Sequence, residues 1–377
     1  MKIKTGNCRI HEGEIIFLIA YICFFISLFI GDIGINSGKI RAFSKIWRYI
    51  SYIASFIQLW MHKGNSKRLV AELTIFVITM MFFVFTKDIY LPMLVILIIG
   101  SRDSSEKKIC KISLAMLIGG TVLTVLGNMV GFIPDIMTAK AFSTEMTRHS
   151  YGFNHSNVLP NNLLMIEILM AWTFKEHITK RLIVIFFLVH VGIYYLTMSR
   201  MSLMIGLLLT VGLLVLKVRM FSKVKKALLD KIAYVLTIFY SSFSIIMMFL
   251  VNENALVNRI DLVFSNRFWA AFLKMKNVGF KIFNFNSNEF FYHDEIVLDN
   301  GYLFITMRYG LIALLAVNII SIVLIKRYKK QPYNILCIIC VFSISFIDNL
   351  FLSYRFLPFM IFAFLNMKML KNNSEIS

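Results

Sequence analysis

The chain has 377 residues, of which 58% are hydrophobic and only 16% are charged, and its mean hydropathy is +0.74. Because a soluble domain has about 25% charged residues, this composition excludes a soluble core. The net charge of +20 is attributed to basic cytoplasmic loops and, without a basic soluble domain, does not favour nucleic-acid binding. We therefore predict an all-α, polytopic integral membrane protein that forms a single membrane domain over residues 1–377.

Apolar residues occur in runs of about 17 to 25, the length at which a helix crosses a hydrocarbon core of roughly 30 Å. The predicted fold has about 12 transmembrane helices. The second is weakly apolar and the fourth is short. We place the spans at residues 15–31, 46–60, 69–86, 89–100, 111–133, 158–174, 182–197, 201–216, 232–251, 301–325, 333–350 and 355–370.

Lysine and arginine are concentrated in every second loop between these spans. Cytoplasmic loops are enriched in both residues, so the pattern predicts that the two termini lie in the cytoplasm. The first apolar run lacks a small-residue cleavage site and is expected to remain as a span. The segments 134–157 and 252–300 and the turn at Ser199 and Arg200 then face outward.

The longest polar interruption is the extracytoplasmic loop 252–300, and its first part has helical periodicity. Apolar residues recur at helical spacing between Arg259 and Met275, so we expect an interfacial helix there. The charged face of this helix is either solvated or functional. In the functional alternative Arg259 and Arg267 bind an anionic head group, because a planar guanidinium donates two parallel hydrogen bonds to phosphate.

The second part of this loop, NFNSNEFFYHDE, is polar and aromatic, and such surfaces suit sugars. His293 can accept a hydroxyl proton near neutral pH, although a solvated loop histidine fits the pattern as well. Asp299 and Asn300 lie just before the tenth span, where capping of the helix could explain both. Alternatively, Asp299 orients a polar acceptor at the membrane edge.

Two further polar clusters face outward in this topology. Arg200 lies in the turn between the seventh and eighth spans, where a cation is costly unless it snorkels or binds an anion. The segment RHSYGFNHSN precedes the sixth span and is a second outer cluster of His, Asn and Arg. Its residues are candidates for the site, but Asn157 could simply cap the sixth helix and His155 could be structural. The candidate glycan-binding residues are Arg148, His155, Asn157, Asn300 and Tyr302.

Some ionisable and sulfur-containing residues lie inside predicted spans. Glu167 and His190 are placed to pair, as a structural pair or as the proton relay of a transporter. Cys337 and Cys340 form a CxxC in an apolar run without a partner pair, which favours packing over a zinc site. The outer loops also lack a DxD-type acidic motif, so we expect no metal and no other cofactor.

Three motifs occur in order: GFNHSN before the sixth span, SRMS between the seventh and eighth, and LDNGY at the start of the tenth. Together with the spans and the long outer loop, they resemble the Wzy-type polymerases of O-antigen and capsular polysaccharide repeat units, which are related to the O-antigen ligases. The resemblance extends from about Arg148 to Tyr328. It implies a metal-independent, GT-C-like membrane glycosyltransferase in the bacterial inner or plasma membrane.

The resemblance also implies substrates and residue roles. Donor and acceptor would be undecaprenyl-diphosphate-linked oligosaccharides, with a chain-length regulator and a flippase of the same pathway as candidate partners. Arg200 with Arg259 or Arg267 would bind the diphosphate, and His293 or Asp299 would activate the acceptor hydroxyl. A diphosphate is a good leaving group, so such a site mainly needs cations that stabilise its charge. We expect direct displacement with inversion at the anomeric carbon.

Other functions stay open at this point. A flippase of lipid-linked oligosaccharides or another secondary transporter would suit the many spans and the Glu167 and His190 pair. An O-antigen ligase would use the same chemistry with another acceptor, and a non-enzymatic partner in a polysaccharide machine is the third alternative. Transporters usually have internal repeats and a midplane site. Here the polar groups cluster at one face and no repeat is visible, which favours an enzyme.

Overall fold

The computed structural model describes residues 12–35, 37–61, 66–86, 88, 90–101, 104–140, 143–217, 223–284 and 296–365. Helices joined by turns and loops make up this part of the chain, with one short β-hairpin, β1 (Thr138–Lys140) and β2 (Ser143–Arg148). The helices before residue 220 are α1 (Glu12–Gly31), α2 (Gly38–Met61), α3 (Ser66–Thr86), α4 (Tyr90–Ser101), α5 (Glu106–Met129), α6 (Val158–Thr173), α7 (Lys180–Thr197) and α8 (Arg200–Lys217). Those that follow are α9 (Lys223–Leu250), α10 (Ala255–Val263), α11 (Arg267–Val278), α12 (Gly301–Tyr309), α13 (Leu311–Arg327), α14 (Pro332–Ile347) and α15 (Leu357–Phe364).

Several helices could span a membrane, as in a multi-pass membrane protein. In the described part of the chain, five are long and apolar enough: α1, α5, α7, α8 and α9. Three shorter apolar helices, α4, α6 and α14, accompany them. The outer faces of α2, α3, α7 and α8 carry exposed large apolar side chains such as Ile53 and Val211. Lipid, rather than water, is the solvent that suits such faces.

Helix α14 lies at the centre of the bundle. Its residues from Asn334 to Phe346 are buried on every side, as expected for a helix that is apolar all round. It packs against α6, α8 and α9. At the contact with α8, a Cβ atom on Gly212 would lie 2.6 Å from the side chain of Leu336, so glycine permits the close approach. The ends of the surrounding helices are therefore positioned relative to the ends of α14.

The tenth predicted span is broken into α12 and α13, which corrects the continuous helix expected there. Gly310 lies at the break with φ of +95°, and a Cβ atom there would lie 2.4 Å from the carbonyl oxygen of Ile282. The carbonyls of Lys281 and Ile282 accept hydrogen bonds from the N–H groups of Leu311 (3.1 Å) and Ile312 (3.2 Å). The end of the long loop thus pairs with backbone groups that the break leaves free, the condition under which a broken helix is tolerated in a membrane.

The interfacial helix expected in the long loop is also divided, into α10 and α11. Ser265 and Asn266, between them, have φ values of +61° and +60°. The carboxylate of Asp261 accepts hydrogen bonds from the N–H groups of Phe268 (2.9 Å) and Trp269 (2.8 Å). A side chain of α10 therefore satisfies the first N–H groups of α11. The division directs the start of α11 towards the protein interior, instead of continuing a helix along the surface.

The hairpin β1–β2 lies in a segment for which the sequence indicated only an outer loop. Thr138 pairs with Arg148 across the two antiparallel strands. Just outside the hairpin, Asp135 accepts hydrogen bonds from the N–H groups of Ser150 (2.8 Å) and Tyr151 (2.9 Å), and His149 Nδ1 lies 2.5 Å from its carboxylate. Burial raises the pKa of Asp135, but these hydrogen bonds outweigh it and hold the pKa below its ordinary value. This network anchors the chain next to Arg148.

Candidate functional site

A cavity of about 220 Å³ lies where several helices begin or end. Helices α6, α8 and α11 begin at it, and α7 and α14 end at it. Helix N-termini carry unpaired N–H groups and partial positive charge, so they favour anions. The lining residues are Arg148, His155, Asn157, Asn161, Met198, Ser199, Arg200, Met201, Ser202, Ile205, Ser265, Arg267, Asp299, Ile344, Ile347 and Asp348.

Arg148 is fixed in the cavity wall by two hydrogen bonds. Its Nε donates to the carbonyl oxygen of Thr197 at the end of α7 (3.0 Å). Its Nη2 donates to Oδ1 of Asn157 at the start of α6 (2.9 Å). Because these partners come from two helix ends, they hold the guanidinium in one place between α6 and α7.

The charges of the cavity act on one another. The pKa of Arg148 is lowered by burial first, next by the charge of Arg267 and also by Arg200, while Asp299 opposes the change. A cation that lowers the pKa of another cation lies close to it, because the repulsion between like charges falls with distance. An anion among these guanidinium groups would remove the repulsion and accept their hydrogen bonds.

Arg267 has unused hydrogen-bond donors inside the protein. Its side chain is only 8% exposed, and its Nε and Nη1 atoms are buried without a hydrogen bond to any described residue. Oδ2 of Asp299 lies 3.5 Å from Nε, which is an ion-pair distance rather than a short hydrogen bond. An unsatisfied buried donor costs about 1–3 kcal/mol, and more when charged. Such a guanidinium at a cavity is expected where an anionic ligand completes its bonding.

Arg200 reaches the cavity through the tight turn between α7 and α8. Met198, which ends α7, has φ of +53°, a left-handed conformation uncommon for a residue with a side chain. Arg200 is the first residue of α8, and its side chain is exposed at the cavity. Strained backbone of this kind persists where the surrounding structure imposes it, often at functional sites.

His155 and Asn157 also line the cavity, as neighbours. Asn157 occupies the N-cap position of α6, but its side chain makes no capping hydrogen bond. Its Oδ1 instead accepts from Arg148 and from Oγ of Ser199 (3.2 Å). Its backbone N–H donates to Nδ1 of His155 (3.1 Å). The capping interpretation of the Asn157 side chain is therefore wrong, and the residue belongs to the cavity wall.

Two carboxylates face the cavity, and the sequence analysis identified only Asp299. The predicted eleventh span, residues 333–350, includes Asp348. Helix α14 ends at Ile347, so Asp348 lies just beyond the helix. The side-chain amide of Asn161 donates a hydrogen bond to its Oδ2, and the N–H of Asn349 donates to its Oδ1 (2.8 Å). A carboxylate at the end of an apolar run was the available signal.

Three predicted site residues among the described ones do not line the cavity. Arg259 is exposed on α10. Asn300 caps α12, accepting from the N–H of Leu303 (3.1 Å), and its amide donates to Oγ of Ser244 (3.0 Å). Tyr302 is fully buried, because it lies on the face of α12 that packs inward. His293 lies outside the described residues.

The predicted pairing of Glu167 and His190 is confirmed. Oε2 of Glu167, in α6, lies 2.6 Å from Nε2 of His190, in α7, and both side chains are buried. Neither residue lines the cavity. Within the described ranges, no group of three or more His, Cys, Asp and Glu side chains is arranged to hold a metal ion.

No protein-family model, curated protein or solved structure matches this chain. Three guanidinium groups can hold an anion with several oxygen atoms, and two carboxylates can hold or accept protons beside it.

Proposed function

We propose that this chain is a GT-C-like membrane glycosyltransferase that polymerises undecaprenyl-diphosphate-linked oligosaccharide repeat units into a surface polysaccharide. About 12 transmembrane helices are proposed. The five long and three shorter apolar helices among the described residues support this number in part. One observation carries the assignment: the buried guanidinium of Arg267 has unused donors at a cavity that it shares with Arg148 and Arg200.

In this proposal the three arginines bind the diphosphate of the donor lipid. The bond between the anomeric carbon and the diphosphate breaks during transfer, so negative charge grows on the departing oxygen. Fixed guanidinium groups in a partly dry site stabilise that charge most, because they are positioned before the reaction. Arg148 is positioned by Thr197 and Asn157. Asp299 lies beside Arg267 and keeps it oriented.

The glycan parts of donor and acceptor would extend from the diphosphate across His155 and Asn157. The segment that contains His293 stays a predicted contributor of a base or a sugar contact. Direct displacement on the donor predicts inversion at the anomeric carbon. Retention of configuration in the product of a defined donor would exclude that stereochemistry.

The proposed placement in the bacterial inner or plasma membrane follows from the charge pattern. Residues from the segments 134–157 and 252–300 and from the turn at Arg200 line the cavity, and all three are expected on the outer side. The site would then lie at the outer face of this inner or plasma membrane, where a lipid diphosphate can keep its tail in the bilayer. Both termini would lie in the cytoplasm.

The test uses the purified full-length chain in lipid nanodiscs. Lipid-linked oligosaccharides are extracted from host cells that lack this chain, and elongation is read as a glycan ladder; binding is measured separately with undecaprenyl diphosphate. We expect Arg200→Ala to lower elongation about 10²–10³-fold, the loss typical of a charge-stabilising group. The control is Arg181→Ala, since Arg181 is exposed at the opposite end of α7. A wild-type protein that forms no ladder would overturn the proposal.

A transporter is the second candidate, favoured by the buried Glu167 and His190 pair between α6 and α7. Translocation of the lipid-linked oligosaccharide across a proteoliposome membrane without elongation would support it. An O-antigen ligase would instead transfer one glycan to a lipid acceptor that carries no diphosphate, without a ladder.

A further inference from the structure

The second carboxylate of the cavity, Asp348, ends a chain of hydrogen-bonded side chains along the cavity wall. The chain starts at Arg148 and runs through two amides and two hydroxyls. Ser199 Oγ lies 2.9 Å from Ser202 Oγ, and Ser202 Oγ donates to Oδ1 of Asn161 (2.8 Å). In order, the members are Arg148, Asn157, Ser199, Ser202, Asn161 and Asp348.

The hydroxyl protons in this chain are too few when Asp348 is charged. Ser199 and Ser202 each have one hydroxyl proton. Three contacts need a proton: Ser199 to Asn157, Ser199 to Ser202, and Ser202 to Asn161. One of the three is therefore left without a hydrogen bond in this state.

A proton on Asp348 removes the deficit. The protonated carboxyl can donate to the oxygen of Asn161 if the Asn161 amide turns over, since an amide presents either oxygen or NH₂ to a neighbour. The amide then donates to Ser202, Ser202 donates to Ser199, and Ser199 donates to Asn157. Every contact from the carboxyl to Asn157 then has its proton, so the wall favours the protonated form of Asp348.

We propose that Asp348 is the general base of the glycosyl transfer, and that Ser202 is a positioning residue that acts through Asn161. This inference rests on the proposed function. The acceptor hydroxyl gives its proton to the Asp348 carboxylate as its oxygen bonds to the anomeric carbon of the donor. The bond from that carbon to the diphosphate oxygen breaks, and its electron pair leaves with the diphosphate on the arginines.

The surroundings of Asp348 agree with this role. Burial raises its pKa, and so does the charge of Asp299; Arg355, Arg267 and His155 oppose them, and Asp32 adds a further carboxylate nearby. A base is most effective when its pKa lies near the working pH. Asp299 has a different environment, because its Oδ2 lies 3.5 Å from Nε of Arg267.

The experiment compares Asp348→Asn and Asp348→Glu in the nanodisc assay. We expect Asp348→Asn to lower elongation about 100-fold or more, within the range for loss of a general base, with undecaprenyl diphosphate binding retained. Asp348→Glu keeps a carboxylate and should recover part of the rate. Wild-type elongation by Asp348→Asn overturns the base assignment while leaving the polymerase proposal intact. A wild-type protein that binds undecaprenyl diphosphate but never elongates overturns both.

Ser202→Ala tests the hydrogen-bonded wall without touching the base, and it decides the question if Asp348→Asn does not fold. Without the Ser202 oxygen the turned Asn161 amide has no acceptor, so the protonated form of Asp348 is disfavoured. The acid side of the pH–rate profile should move to lower pH, with thermal stability near that of the wild type. An unmoved profile overturns the coupling between the wall and Asp348.

Discussion

Arg267 and Arg355 are both buried arginines, yet their surroundings differ. Arg355 is 4% exposed, and its donors are occupied: Nε binds Oδ1 of Asn162 (2.6 Å), and Nη2 binds Asp32 (2.6 Å) and the Tyr354 hydroxyl (2.9 Å). Arg267 is 8% exposed, and its Nε and Nη1 make no hydrogen bond to a described residue. A guanidinium whose donors the protein satisfies is structural. One whose donors stay free at a cavity is suited to a ligand.

The two arginines are therefore expected to respond differently to the same substitution. Arg355 and Asn162 are buried, so their hydrogen bond replaces the contacts with water that both have lost, and Asp32 supplies the opposite charge. Arg267 keeps buried donors without partners among the described residues, which costs stability, and in the proposed function a ligand would occupy them.

Loss of the satisfied arginine should affect folding most. Arg355→Met leaves Asp32 without its cation and is expected to lower the free energy of unfolding by about 3–5 kcal/mol. Arg267→Met removes unpaired donors, so we expect a change within about 1 kcal/mol. Thermal unfolding of both variants in the same detergent measures the difference. Equal destabilisation by the two substitutions would mean that Arg267 is held by the protein as firmly as Arg355.

Arg267→Lys should separate charge from geometry at the cavity. Lysine keeps the positive charge but loses the planar fork, so we expect elongation to fall about 100-fold, with weaker undecaprenyl diphosphate binding. Arg181→Lys serves as the matched change at an exposed arginine. If Arg267→Lys elongates at the wild-type rate, Arg267 does not contact the diphosphate.

Asn157→Ala should have an intermediate effect, because it removes a support of Arg148 rather than a cation. The variant loses the acceptor of both Arg148 Nη2 and Ser199 Oγ. We expect elongation to fall about tenfold, equivalent to roughly 1.4 kcal/mol, the cost of one to two hydrogen bonds. The change should appear in the elongation assay, with a small decrease in thermal stability because the same hydrogen bonds also stabilise the fold. A wild-type rate would mean that the Thr197 carbonyl alone positions Arg148.

The anchor of the hairpin next to Arg148 should give the smallest effect, visible only at acid pH. Asp135 has a folded pKa below its unfolded value, so its stabilising contribution is present above the unfolded value and is lost as pH falls through the folded pKa. Between pH 6 and a pH below about 3.9, the wild type should lose more thermal stability than Asp135→Asn. Parallel losses in both proteins would exclude a role for the Asp135 hydrogen bonds.

The site residues show how far sequence reasoning reached. The prediction selected polar residues that cluster at the outer ends of apolar runs. Five of them line one cavity: Arg148, Arg200, His155, Asn157 and Asp299. Arg259 and Arg267 were indistinguishable, since both follow from the same helical periodicity. The backbone reversal at Ser265 and Asn266, with the cap from Asp261, exposes the first and buries the second.

The long apolar runs were enough to predict helices in a lipid environment, because a bilayer offers no hydrogen-bond partners to backbone N–H and C=O groups and a helix pairs these groups internally. Which polar residues share a site depends on how distant segments pack. Asp348 and Asn161 are 187 residues apart and meet only because α14 and α6 pack side by side. The break at Gly310 likewise depends on the approach of Ile282. Contacts between distant segments leave no periodic trace in the sequence, so only packing reveals them.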